Sequence, residues 1–199
     1  SPTAYRKQQQ YKVAIVSHLF LQDHLLSLGI APVAAPSFPS YYGGRGFPSY
    51  LQGALAGTLA LNVERSVSSV EVTRLSPDLI VKMSFSNNPY DRDWKEAKNT
   101  VYLDGYPNWD GYLMDFADRL ERLDEAQRIV QRIEAAEESA RAALSPMTNS
   151  GSWAIVRAMP NDLRLYTGRN HAFTDLFYRG LGFTPVLLEE GYAYQEHAY

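Results

Sequence analysis

The chain has 199 residues, 45% of them apolar, a formal net charge of −3 and no cysteine. That is enough for one large domain or two small lobes around an apolar core, and the charge leaves no electrostatic footprint for nucleic acid. Without cysteine there are no disulfides, thiolate metal sites, cysteine nucleophiles or lipid-attachment cysteine, and no apolar run approaches the ~18 residues of a membrane span.

Residues 1–10, SPTAYRKQQQ, are polar and basic and do not read as a signal peptide. The string SPTAYRKQ resembles the closing segment of the DNA-binding domain in AraC-type transcription regulators, whose second helix-turn-helix ends in Ser-Pro, two residues, Tyr-Arg. The resemblance implies that residues 1–10 are the tail of such a domain or a linker, and that an effector domain follows. DNA would then be met only through a separate DNA-binding domain outside this chain. Tyr11 begins a different pattern. Lys12 to Val16, KVAIV, is a β-branched apolar run that predicts a buried parallel strand, with Ser17 and His18 at its carboxyl end. LFLQDHLLSLGI carries leucines at helical spacing and ends at Gly29, a good C-terminal glycine. APVAA makes a second short strand.

From Pro36 to Pro48 the sequence is PSFPSYYGGRGFP, a loop by its Pro and Gly content. Its Tyr41, Tyr42 and Arg45 are what a ligand-facing loop on a rigid sheet would carry. A surface loop whose aromatics fold back on the core is the competing reading. Helix and strand signals mix between Tyr50 and Thr73 and assign no element. LIVKM is a strand, followed by the loop SFSNNP with Ser84, Ser86 and Asn87; Trp94 to Lys98 is a short helix, and TVYLD a strand entering the loop GYPNWDGY with Tyr106 and Trp109. Strand and helix alternating at this spacing predict an α/β fold with right-handed parallel crossovers, in which ligands sit beyond the carboxyl ends of the strands.

Asp124 to Leu144, DEAQRIVQRIEAAEESARAAL, has neither Gly nor Pro and is rich in strong helix formers. Asp124 and Gln127 form a capping-box pattern and Pro146 is expected to stop the run. Ala126, Ile129, Val130, Ile133, Ala136, Ala140 and Leu144 make one apolar stripe, leaving Glu134, Glu137, Glu138 and Arg141 to face water. At ~1.5 Å per residue the helix would span roughly 30 Å, either as a spine between two lobes or as a core helix of one domain. WAIV (Trp153 to Val156) and LRLY (Leu163 to Tyr166) read as strands joined by a turn at MPND, with Arg157 and Arg164 on them; a helix follows from about Thr174 to Arg179, and little structure is read beyond LGF.

LLSLGIAPVA, LSPDLIV, the long helix, VRAMPNDLRLYTG and YRGLGF together resemble the iron-siderophore binding proteins of ABC uptake systems, the class with two α/β lobes joined by one rigid helix. That resemblance, over roughly residues 12 to 185, implies a two-lobed periplasmic-binding-protein-like fold. Its N-terminal lobe would span residues 11–108, the connecting helices 109–145, and the start of a C-terminal lobe 146–199. It also implies that the second lobe is incomplete at Tyr199, with apolar faces that would pair with another chain, as in a homodimer, or stay mobile. The VRAMPNDLRLYTG hairpin looks close to that of catecholate-siderophore binders, so Arg157 and Arg164, with Tyr166 as a neighbour, carry over as ligand residues. The family's first-lobe lysine is matched by Ser84, with Lys82 two residues earlier.

The expected ligand is a ferric siderophore, catecholate type favoured, with the iron held by the siderophore and no intrinsic cofactor. A ferric tris-catecholate carries about three negative charges over planar oxygens, which guanidinium groups suit by charge-assisted, multi-donor hydrogen bonds. Ser17, His18, Tyr41, Tyr42, Arg45, Ser84, Tyr106 and Trp109 would line the other side. One function is a cytoplasmic siderophore sensor controlling an AraC-type activator of iron uptake; the other is an exported, extracellular or periplasmic, substrate-binding component of a transporter. Catalysis is not expected, because His18, His24, His171 and His197 form no metal or triad spacing and no phosphate-binding glycine motif follows a strand.

Overall fold

A computed structural model describes residues 10–17, 20–65, 67–83, 94, 97, 99–103, 105–166 and 172–187. They divide into two compact units, one built from residues up to 104 with 115–122, the other from 105–114 with 123 onward.

The first unit is organised on a parallel five-stranded sheet: β1 (Val13–Ile15), β2 (Ala34–Ser37), β3 (Leu59–Asn62), β4 (Leu79–Met83) and β5 (Thr100–Leu103), in the order β3-β2-β1-β4-β5. β1 is central. Val13, Ala14 and Ile15 are wholly buried, as the unbroken run KVAIV requires of a strand covered on both faces. One cluster joins Ala14, Val16, Ala34, Leu61, Val72, Ile80 and Trp94, and a second joins Ala35, Phe47, Leu51 and Leu55. Each buried Leu, Ile or Phe contributes about 1.5–3 kcal/mol relative to exposure. Helix α1 (Phe20–Ser27) ends where Gly29 takes φ 80 and the amide of Ile30 reaches back to the carbonyl of Leu25.

Three local expectations are corrected. The stretch from Pro36 to Pro48 is not all loop: Pro39 starts a short helix, α2 (Pro39–Tyr42), since proline suits a first turn. The unassigned stretch after Tyr50 contains β3 and α3 (Ser69–Thr73), the latter capped by the amide of Glu71 donating to the Ser68 hydroxyl at 3.4 Å. Strand β6 begins at Ile155 rather than Trp153, because the backbone of Trp153 is engaged in a parallel bridge with Pro185, accepting from Val186 and donating to Thr184.

In the second unit, α5 (Leu123–Thr148) follows α4 (Trp109–Arg119), which contributes its first half to this unit and its second half to the other. The long helix is continuous as predicted but passes through Pro146. Proline removes the amide that would bond the carbonyl of Ala142, and the Ser145 hydroxyl donates to that carbonyl instead, at 3.1 Å. An antiparallel ribbon of β6 (Ile155–Met159) and β7 (Asp162–Tyr166) comes next, then α6 (Ala172–Asp175), which runs into a π-helical turn (Leu176–Gly180). KVAIV and the WAIV region therefore lie in separate sheets. No helix among the described residues is long and apolar enough to cross a membrane.

Candidate functional site

The strand order reverses at β1, so the carboxyl ends of β1 and β4 form the switch point where open parallel sheets bind ligands. Ser17 stands there. Its Oγ accepts the backbone N–H of Met83 at 2.6 Å, so it fastens β1 to β4 and keeps its hydroxyl proton to donate. His18 and Ser84, with Ser86 and Asn87, lie outside the described residues.

The glycine-rich loop divides its side chains between two tasks. Arg45 turns inward: its guanidinium donates to the carbonyls of Leu55 (2.9 Å), Ala56 (3.3 Å) and Thr58 and lies 5.1 Å from the centre of the Phe47 ring. Those carbonyls belong to the turn before β3, so Arg45 closes the loop onto the unit. Gly46 permits the closure, because at φ 84 a Cβ there would meet the Pro39 nitrogen at 2.6 Å. Tyr41 and Tyr42 face outward on α2, edge to face at 4.8 Å, with Tyr41 79% exposed. Tyr50, also exposed, donates to the Asp23 carboxylate at 3.0 Å and extends the aromatic patch.

Sequence reasoning missed Tyr50 and also Arg65, an exposed guanidinium three residues beyond the carboxyl end of β3. Reading LALN as a strand would have placed Arg65 on the ligand edge of the sheet. Lys82 does not serve that edge: it is buried on β4, its ammonium 5.9 Å from the ring centre of its register neighbour Tyr102 on β5.

In the second unit the register sets Arg157 directly opposite Arg164, so both guanidinium groups leave one face of the ribbon. Arg157 is exposed; Arg164 is half-buried and pairs with Asp162 at 3.4 Å. Tyr166 shares that face but is buried at its base. Tyr178 holds this base, since its hydroxyl donates to the carbonyl of Tyr166 and accepts the amide of Ile155 at 3.3 Å, tying both strands to the π-helical turn. The neighbouring rings support it: Phe177 stacks on Phe183 at 4.1 Å and Phe183 meets Trp153 edge-on at 5.3 Å.

Tyr106 and Trp109 have structural partners. The Tyr106 ring packs edge-on against Tyr112 at 5.0 Å and covers Gly111, where a Cβ would meet it at 2.5 Å. The Trp109 amide, at the start of α4, donates to Asp175 Oδ2 at 3.3 Å.

Asp175 belongs to a charged cluster that the sequence does not announce. Wholly buried, it takes two hydrogen bonds from Arg179 at 2.7 and 2.6 Å, which hold the guanidinium proton even more firmly than usual. Glu137, expected to face water, is buried against the π-helical turn, and Arg141, exposed as expected, reaches the same turn. Arg141 donates to the carbonyl of Gly180 at 3.0 and 2.7 Å, and the Glu137 carboxylate is buried where a Cβ on Gly180 would meet its Oε2 at 2.9 Å. The long helix packs that turn through the two polar residues nearest its glycine, where close approach is open.

Burial pushes the Glu137 carboxyl up from its ordinary value; Arg179 and Arg141 pull it back and Asp175 and Glu134 add to the rise. A carboxyl raised in the folded state adds most to stability below its unfolded value, and that contribution is lost as pH rises through the folded value. Glu137→Gln is therefore expected to gain on wild type in thermal midpoint as pH rises from about 4, the reference carboxyl value. Melting both proteins from that pH upward checks it, and a variant that loses ground as pH rises contradicts it.

No protein-family model matches the sequence, and a search of curated proteins finds no relative. Solved structures do match in fold. Staphylococcus aureus SirA complexed with staphyloferrin B superposes with a TM-score of 0.74 at 19% identity, covering 89% of this chain and 60% of SirA. FeuA from Bacillus subtilis, the triscatecholate siderophore binding protein complexed with ferri-bacillibactin, gives 0.74 at 16% identity, covering 88% and 60%. FhuD from Vibrio cholerae, bound to Fe3+-Desferal, gives 0.66 at 20% identity, covering 91% and 69%. The fold is thus periplasmic-binding-protein-like, of the kind these siderophore-bound structures share, and the chain spans about 60% of SirA and FeuA.

Proposed function

We propose that the chain is a ferric-siderophore binding domain, with an anionic, catecholate-type complex as the favoured ligand. The observation that carries this reading is the arginine pair. Two guanidinium groups directly opposite on one ribbon face repel each other and weaken the ribbon. An anionic ligand spanning both relieves that repulsion through charge-assisted bonds. Fold neighbours that hold staphyloferrin B, ferri-bacillibactin and Fe3+-Desferal support siderophores as the ligand class. Exposed Tyr41 and Tyr42 suit the flat faces of aromatic chelators. Binding rather than catalysis is the task, and the iron stays with the siderophore.

Within that reading the domain is a cytoplasmic sensor for an AraC-type activator, its DNA contacts made by a separate domain. SPTAYRKQ, outside the described residues, favours it. An exported transport component is the second reading, favoured by the fold neighbours. Titrating the full chain with ferric siderophores while following tryptophan fluorescence tests ligand binding. Saturable quenching by ferric but not iron-free siderophore is expected, and no response to any ferric siderophore would overturn the proposal.

A further inference from the structure

The ribbon face that presents the arginines also carries a carboxylate. Residues two apart on a strand share a face, and the register sets Met159 opposite Asp162 just as it sets Arg157 opposite Arg164. Asp162 therefore emerges beside Arg164, its Oδ2 3.4 Å from the Arg164 Nε, with 60% of its side chain exposed against 27% for Arg164. It sits at the open end of the face, next to the turn at Pro160 and Asn161, while Tyr166 closes the other end. The face thus holds two guanidinium groups and a resident counter-ion.

We propose that Asp162 is a specificity-determining residue: it limits how strongly the arginine pair favours highly anionic ferric complexes over neutral or cationic ones. The inference rests on the siderophore reading of the site. A triply anionic complex that spans both arginines meets the Asp162 carboxylate at the same face, and must either tolerate it or displace it from Arg164. A neutral or cationic complex meets no such repulsion. Because the carboxylate is mostly exposed, its effect is moderate and screened by salt.

The test replaces the charge and keeps the acceptor. Asp162→Asn can still accept from Arg164 Nε, so the ribbon keeps its hydrogen bond. The full chain, wild type and variant, is titrated with a ferric tris-catecholate and with a ferric trihydroxamate of neutral or positive charge, at low and at high salt. Asn is expected to tighten the tris-catecholate about threefold to tenfold, to leave the trihydroxamate unchanged or weaker, and to lose most of the difference at about 0.5 M salt. Asp162→Ser, which suits the same turn, should give the same ratio and stands in if the Asn variant does not fold. An equal change for both complexes, or none, overturns the assignment while Arg157→Ala still weakens binding. If neither complex binds wild type or variant, the siderophore reading falls and takes this one with it.

Discussion

Replacing both Arg157 and Arg164 by alanine is expected to weaken binding of a ferric tris-catecholate by about a hundredfold, with Arg157→Ala alone costing at least about tenfold. The single-residue figure follows from the cost of removing one charge partner from a desolvated contact, about 2–5 kcal/mol, discounted because Arg157 is exposed in the free protein. A loss of about 1.4 kcal/mol is already one decade. The two effects will not simply add, because the residues face each other across the ribbon and share a ligand. Removing one arginine also relieves its repulsion of the other, which strengthens the ribbon as it weakens the site, so affinity and thermal stability should move in opposite directions. Arg128→Ala is the suitable control: it lies on α5, mostly exposed and paired with Glu125 at 3.5 Å. Arg141 is not, since its substitution would free the carbonyl of Gly180. Titrations of the three variants by tryptophan quenching decide the matter, and equal affinity in wild type and the double variant would sink the arginine assignment.

The parts of this molecule that can be read from the sequence are those where one physical signal dominates. β1 is an unbroken apolar run and β4 one interrupted only by the buried Lys82, because both faces are covered, and α5 declares itself by composition and by a stripe that is half-buried along most of its length. β3 is different. Its LALN follows two glycines and carries no β-branched residue, so nothing in the local pattern distinguishes it from helix. Whether a charged side chain serves a ligand or the fold is a tertiary fact. Arg45 and Arg157 are both exposed arginines beside turns, yet Arg45 spends its guanidinium on three carbonyls of a neighbouring turn, while Arg157 stands opposite Arg164 on a ribbon face. Pro146 misled for a local reason, because the serine before it can replace the missing amide at the carbonyl of Ala142. Glu137 misled for a distant one: the surface it meets is set by Gly180, some forty residues on, whose missing side chain opens the space it enters.

That same turn gives the largest stability effect expected in the second unit. Asp175 is wholly buried and serves three donors, the Trp109 amide at the head of α4 and two nitrogens of Arg179. Asp175→Ala takes this acceptor away from the Trp109 amide and releases a guanidinium that can only partly recover in water. Breaking a buried ion pair costs about 3–5 kcal/mol; because the Arg179 side chain is 46% exposed and can turn outward, the expected cost here is nearer about 2–4 kcal/mol. For a cooperative unit of this size each kcal/mol moves the midpoint by about 4–8 °C, so a fall of roughly 10 °C or more should appear in a thermal melt. Asp175→Asn separates the contributions. It keeps an acceptor for the Trp109 amide and loses the charge opposite Arg179, so it should fall between wild type and alanine. A midpoint for Asp175→Ala within about 2 °C of wild type, well inside what one such contact commands, would mean that the turn is not fastened through this carboxylate.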